Sequence, residues 1–557
     1  MDRANISVSY AGAASLALFG QNDDCHKCAL VRLLPDGCTD VNCSTLSSDA
    51  SLYLLNTVYP WSLELRADDN DTAVWSERRT FADTGVYAMR VEDATGDAVA
   101  VTFSTTVEPS PSRIFLVIGL VLLAWLLSCF GLFFYKQRRA HASAPSSTGD
   151  LEAPIDYCGD DARSDDDTHE QPLLAPPPPA KTRVVSLDVF RGLTIVCMIF
   201  TNLGGGRYWF WTHATWNGLT PADVVFPWFV WIMGVTMNIG MRCHVKKGTS
   251  LWTLVRSSLV RAIKLFCLGL FVNNMHDLDT CRVPGVLQTF AFAYLLVTLI
   301  VVAGVSGKTP VQTHLIQAGL VLGVTAIYLG LIFFLPVPGC PTGYFGPGGD
   351  GDFGEYRDCL GGAHRVVDRY IFGDEHMLQG GTPMGVYGPE GPWDPEGFLN
   401  WLSASVLTYL GYVVGGAFLN TACWKRKTVL LCGAGGVSCL VGLVLCGFTI
   451  NDGFIPINKN LWSLSFVCVT SGLACVGLCV MYLLVDKFGI WSGAPLSYAG
   501  MNAIVLYVGH ETLGGFFPFS YEHAETHTAW TLSNLIGTAS WVAIAYAMYR
   551  KKIFITV

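Results

Sequence analysis

Charge is scarce in this chain, and the scarcity sets its class. Asp, Glu, Lys and Arg make up 14% of the 557 residues, against 51% for apolar types. A soluble globular protein carries about 25% charged residues, so lipid is the expected main solvent. The stretch Ile114–Tyr135 has no charge at all and is long enough to cross a hydrocarbon core of about 30 Å. A basic excess is missing too. The net charge of −9 argues against nucleic acid as a partner. Much of the acidity sits in Asp150–Glu170 and says little about the folded remainder. There is no P-loop, no zinc-protease motif and no GxSxG, and no metal ligand set is expected. No signal peptide is expected from the start as given, which lacks a basic region and a long apolar core. Either the first span exports the N-terminus, or the natural start lies upstream.

Cysteine is plentiful, with 19 residues, most of them in apolar runs where Cys acts as a small hydrophobe. Cys25, Cys28, Cys38 and Cys43 instead cluster before the first span. Cys25 and Cys28 form a CxxC, but no second CxxC or βαβ pattern accompanies it. Structural disulfides in an oxidising compartment are therefore expected rather than zinc or redox chemistry. Three N-glycosylation sequons, at Asn5, Asn42 and Asn70, fall in the same segment, which favours a luminal location. With short strand-like runs at Ser51–Leu55 and Val86–Val91, residues 1–112 read as a small β-rich, glycosylated luminal domain.

Residues 113–135 read as the first transmembrane helix. Lys136-Gln137-Arg138-Arg139 follows it, and basic flanks favour the cytosol. Residues 136–182 are rich in Ser, Asp and Pro and read as a disordered cytosolic linker. Within it, Glu170-Gln171-Pro172-Leu173-Leu174 is similar to a dileucine sorting signal. Ten further apolar stretches lie near 186–203, 221–241, 255–273, 285–305, 315–335, 398–419, 428–449, 464–485, 494–512 and 529–549. Basic clusters at Arg242/Lys246/Lys247, Lys425–Lys427 and Arg550–Lys552 fall on alternate joints. The fold class expected is an α-helical polytopic membrane protein of about eleven helices, N-terminus luminal and C-terminus cytosolic, with residues 183–557 as a ten-helix domain. Residues 336–397 form a long loop on the luminal side, where Cys340 and Cys359 are a candidate disulfide pair.

The densest cluster of special residues runs from Asn202 to Trp228. Gly204-Gly205-Gly206 permits a tight turn or close approach to a ligand. His213 has a side chain able to exchange a proton near neutral or mildly acidic pH, unless it is an interfacial histidine bonded to a backbone carbonyl. Asp223 is either a functional carboxylate or the acid of a helix start, with Thr220 as cap and Pro221 first in the helix. Asn202 is a polar group at depth or a plain helix end. Asp188 and Arg191 are an i,i+3 ion pair, and Arg261 and Lys264 snorkel to headgroups, unless this basic cluster holds the phosphates of a nucleotide cofactor. Asn502, His510 and Glu511 put polar groups in the tenth span.

Several runs carry a resemblance. They are Ser186–Gly192, Asn202, His213 and Asp223–Trp228, then Val283–Gln288, Leu335–Tyr344, Asp394–Gly397, Gly453–Ser465, Gly500–Asn502, Tyr507–Glu511 and Tyr549–Phe554. Together they resemble the heparan-alpha-glucosaminide N-acetyltransferase family of lysosomal transmembrane enzymes, strongly over about residues 183–557. The N-terminal region is similar only around Cys25 and Cys28. The linker and the joint Asn273–Asp279 depart from the family, so no dimer contact carries over to that joint.

The resemblance implies a catalytic role for His213 and an active-site place for Asn202. It implies acetyl-CoA as cytosolic co-substrate, the terminal glucosamine of heparan sulfate as acceptor, a homodimer, and cleavage into two chains in the lysosome. On that reading His213 is the general base and Asn202 donates to the oxyanion. Asp223 orients the imidazole or binds the ammonium. Arg191, Arg261 and Lys264 hold the cofactor phosphates, and Asn502, His510 and Glu511 meet the substrate. Direct transfer and a covalent acetyl-His213 intermediate both fit. The rival reading is a secondary transporter of a small polar solute, though no clear internal repeat supports it.

Overall fold

The computed structural model describes residues 2–12, 15–38, 45–67, 73–93, 99–107, 114–142, 183–273, 277–307, 309–519 and 521–555. Its N-terminal β region holds two four-stranded sheets. One runs in the order β4 (Ser51–Asn56), β1 (Arg3–Tyr10), β7 (Val86–Asp93), β8 (Val99–Val107). The other runs β3 (Val31–Arg32), β2 (Leu16–Asn22), β5 (Trp61–Ala67), β6 (Ala73–Arg79). Buried residues alternate along β1 as Ala4, Ile6, Val8 and Tyr10, the period of two that puts one strand face into a core. Leu16, Leu18, Leu63 and Leu65 of the second sheet join the same core. Asn5 falls between Ala4 and Ile6, on the other face of β1, and is half-buried. Asn42, Asn70 and Cys43 lie outside the described residues, as does the linker from 143 to 182. Cys25–Cys28 and Cys340–Cys359 are disulfides.

The rest is helical. Among the described residues, eight helices are long and apolar enough to cross a membrane. They include α1 (Ile114–Ala142), α2 (Val185–Asn202), α3 (Pro221–Lys246), α5 (Val286–Gly304), α6 (Pro310–Phe334), α9 (Phe398–Asn420), α10 (Trp424–Leu445) and α11 (Leu464–Met481), which continues to Lys487 as a π-helical turn. Three of the eleven expected spans differ from these. Helix α4 (Leu251–Val272) carries Arg256, Arg261 and Lys264. The tenth stretch is broken at Asn502 into α12 (Leu496–Met501) and α13 (Ala503–Leu513). Helix α14 (His527–Arg550) is long but more polar. Helix α1 runs on to Ala142, past Tyr135, where the linker was expected to begin. Its side chains from Leu116 to Tyr135 are almost all exposed, as a helix solvated by lipid requires.

Small residues bring the helices together. A Cβ on Gly192 would collide with the Leu496 carbonyl, and one on Gly500 with the Asp188 carbonyl, so α2 and α12 pack backbone to backbone. Gly234 and Gly411 do the same for α3 and α9. Two short helices, α7 (Ala363–Phe372) and α8 (Met384–Tyr387), lie in the long loop 336–397.

The β region sits on that same end of the bundle. Thr215 donates from Oγ1 to Asp24 Oδ1 at 2.8 Å, and Tyr387 donates from its hydroxyl to the Asp24 carbonyl at 3.1 Å. Lys27 pairs with Asp452 at 3.3 Å, and His527 faces Asp2 at 3.2 Å.

Candidate active site

Helix α2 ends at Asn202, and the chain must turn sharply to cross the bundle end. Gly204, Gly205 and Gly206 all take positive φ, at 115°, 58° and 70°, a region that favours glycine. Side chains here would also run into Trp211 and Thr531. The glycines thus serve the turn and its packing on α14. The segment that follows carries His213 back toward the start of α3.

His213 Nδ1 lies 2.8 Å from Asp223 Oδ1. Asp223 is fully buried and also accepts from the backbone N–H of Thr220 at 3.0 Å and of Ala214 at 3.2 Å through Oδ2. The capping box with Thr220 is present, so the two readings of Asp223 are one arrangement: one carboxylate oxygen caps α3 and the other orients the imidazole. The Nδ1–H tautomer that donates to Asp223 leaves Nε2 as an acceptor toward a cavity of about 90 Å³. Burial, reinforced by Lys459, holds the His213 pKa below the usual imidazole value against the pull of Asp223.

Two cavity residues were not expected as site residues. Lys459 places Nζ 3.9 Å from Asp223 Oδ1, with its side chain 13% exposed. Burial lowers its pKa, while Asp223 and Glu396 raise it. Its position is fixed by its neighbours. Asn458 accepts from the Leu461 N–H and donates to Asn217, and Asn460 donates to the Thr215 carbonyl. These bonds lash the segment to the His213 loop. Glu396 is held by Arg282, which also pairs with Asp394. Both new residues sit in runs that carry the family resemblance, but no spacing rule puts them beside His213.

Asn202, Glu511 and Thr201 line the same cavity. Asn202 Nδ2 donates to Glu511 Oε1 at 2.8 Å and faces His510 Nε2 at 3.0 Å. His510 is buried, donates from Nδ1 to the Leu506 carbonyl at 2.8 Å and lies 3.4 Å from Glu511 Oε1 through Nε2; in the neutral ring that nitrogen accepts from Asn202. Both hydrogens of the Asn202 amide are therefore committed, which leaves no free donor for the oxyanion role expected of it.

A second cavity, of about 310 Å³, is mostly apolar and is lined by Arg191, Arg261, Gly500, Met501 and Ile555. Arg191 donates to the Gly500 carbonyl at 3.2 Å and lies 3.8 Å from Asp188, so the expected ion pair is loose. Arg261 sits over the Tyr294 ring at 4.5 Å. Two guanidinium groups on an apolar cavity suit a ligand with an anionic head and a slender arm. Lys264 is exposed and lies off this lining. Asn502 does not reach either cavity. It is fully buried and its amide clamps the C-terminal tail, donating to the Ile553 carbonyl and accepting from the Ile555 N–H, both at 3.2 Å. The two cavities share Met198, Val286 and Tyr507 in their walls, so they are neighbours.

No family model matches the chain. A heparan-alpha-glucosaminide N-acetyltransferase from Mus musculus is 33% identical over 579 aligned residues, covering 97% of this chain and 86% of the mouse protein. The chain belongs to the heparan-alpha-glucosaminide N-acetyltransferase family. The protein of the same name from Homo sapiens is 40% identical over 410 residues, 69% of this chain and 60% of its own length. Both relatives bear an acyltransferase's name. In this member of the heparan-alpha-glucosaminide N-acetyltransferase family, His213, Glu396 and Lys459 line one cavity and Arg191 and Arg261 line the other.

Proposed function

We propose that this protein transfers an acetyl group from acetyl-CoA, taken up at the Arg191/Arg261 end, to the amine of a terminal heparan glucosamine at the His213 end. One observation carries the reading: two adjacent cavities share Met198, Val286 and Tyr507 in their walls, with guanidinium groups on one and an aspartate-oriented imidazole on the other. Arg191 and Arg261 hold the donor's phosphates. The apolar walls accept its arm and keep water from the thioester. Asp223 fixes the His213 tautomer, and Nε2 takes a proton from the attacking amine. Glu396 and Glu511 face the ammonium form of the acceptor.

The setting follows from the same reading. The β region, the long loop and His213 share the luminal side of a lysosomal membrane, and Arg191 and Arg261 open to the cytosol. The donor then never has to cross the bilayer whole. The test is purified protein in detergent with acetyl-CoA and glucosamine, free CoA being measured. We expect release that depends on the amine and that falls about 10²–10⁴-fold in His213→Ala. No release above background from the native protein would sink the reading and leave a transporter in its place.

A further inference from the structure

On the acetyl-transfer reading above, we infer that Lys459 is the catalytic residue that stabilises the oxyanion, with Asn202 confined to positioning. Four observations support this. Lys459 lines the His213 cavity. Among the described residues its Nζ has no hydrogen-bond acceptor, and its one ion contact, to Asp223, is 3.9 Å long. A largely buried ammonium with unspent N–H groups is costly unless a partner arrives. Finally, Asn202, the other amide on the cavity, has both hydrogens engaged by Glu511 and His510. Lys459 is thus the cation in this cavity with free donors.

The neutral amine nitrogen attacks the thioester carbon, a C–N bond forms, and the carbonyl π electrons move onto oxygen. The negative oxygen accepts from the Lys459 ammonium. His213 Nε2 takes the proton from the nitrogen. When the intermediate collapses, the C–S bond breaks and His213 returns that proton to the departing thiolate, giving CoA thiol and the N-acetyl product. Lys459 keeps its own proton throughout and supplies only field and hydrogen bonds. The segment that presents it is held by Asn458 and Asn460 on the His213 loop, so donor and base are set by one network.

The same cation has a second, measurable effect. The charged groups around the His213 ring are Asp223, Lys459, Glu396 and, across the cavity, Glu511. Lys459 opposes protonation of the ring. Removing it lets His213 hold its proton to higher pH, so the base is lost at a less acidic pH.

The experiment is Lys459→Met in the full chain, with steady-state kinetics for acetyl-CoA and glucosamine across pH, melting temperature in detergent, and binding of acetyl-CoA as the fold control. We expect kcat to fall about 10²–10³-fold, both KM values to stay within a few-fold, and the acid limb of kcat/KM to move to higher pH. Lys459→Arg should recover at least about tenfold of the lost kcat, since a guanidinium also donates. Should Lys459→Met fail to fold, Lys459→Leu also removes the donor and the charge and carries the same two readouts. A kcat close to the native value, or a rise in acceptor KM with kcat intact, would overturn the assignment. Native protein that releases no CoA would instead sink the acetyl-transfer reading itself.

Discussion

The two adjacent cavities are built differently. At the Arg191 end the walls are helix side chains, with Met198 from α2, Phe229 and Ile232 from α3, Leu265 from α4 and Ile504 from α13. They are apolar and close-packed, and their positions follow from helix packing. At the His213 end three polar lining groups come from loops: His213 after the glycine turn, Glu396 before α9 and Lys459 before α11. None lies within a helix, though Asp223 of α3 orients His213. Each is pinned by neighbouring hydrogen bonds, through Asp223, Arg282 and the asparagines around Lys459. Helices make a slot of given shape, which tolerates local change. Loops bring distant charges within reach of one another, and each depends on its own supports.

Three predictions sharpen that contrast. The first is the largest. Arg191→Ala with Arg261→Ala should raise the KM for acetyl-CoA about 10–100-fold, because charge-assisted bonds to phosphate are lost, while kcat at saturation stays within a few-fold. A collapse of kcat at saturation would show that the helical end shares in the chemistry.

The second concerns the shared wall. Tyr507 lines both cavities. Tyr507→Ala should let water reach the thioester and cut the ratio of amine acetylation to acetyl-CoA hydrolysis about tenfold. An unchanged ratio would mean that Met198 and Val286 exclude water without it.

The smallest effect is expected at the tail. Asn502 anchors Ile553 and Ile555, and Ile555 lines the Arg191 cavity. Asn502→Ala should lower stability by about 1–3 kcal/mol and raise donor KM only a few-fold, read by thermal melting and kinetics. A change in the pH profile of turnover would contradict a role confined to the tail.

The helical stretches were legible because apolar runs of span length have few other solutions in water or lipid. The end of α2 at Asn202 and the start of α3 at Thr220-Pro221 were legible from local capping chemistry. The break at Asn502 was not, because hydropathy reads through a single Asn whose partners are tail carbonyl and amide groups far along the chain. His213 and Asp223 were legible as candidates because they lie ten residues apart across one helix start. Asn202 was legible as a polar group at depth, but its contacts with His510 and Glu511 were not, since those residues sit on another helix. Lys264 and Lys459 show the same limit in opposite senses. Lys264 looked like a cofactor residue by its place near Arg261, yet its helix phase turns it outward. Lys459 lay in a loop with no visible reason to matter.

The sequence by itself determined that this chain lives in a membrane and roughly where its apolar helices run, because burial in lipid and local capping are read along the chain, and its motif runs carry the family. The tertiary structure alone decided which charges meet. Coulomb forces and hydrogen bonds act across a few ångströms of space, and only folding brings Lys459, Glu396 and His213 that close.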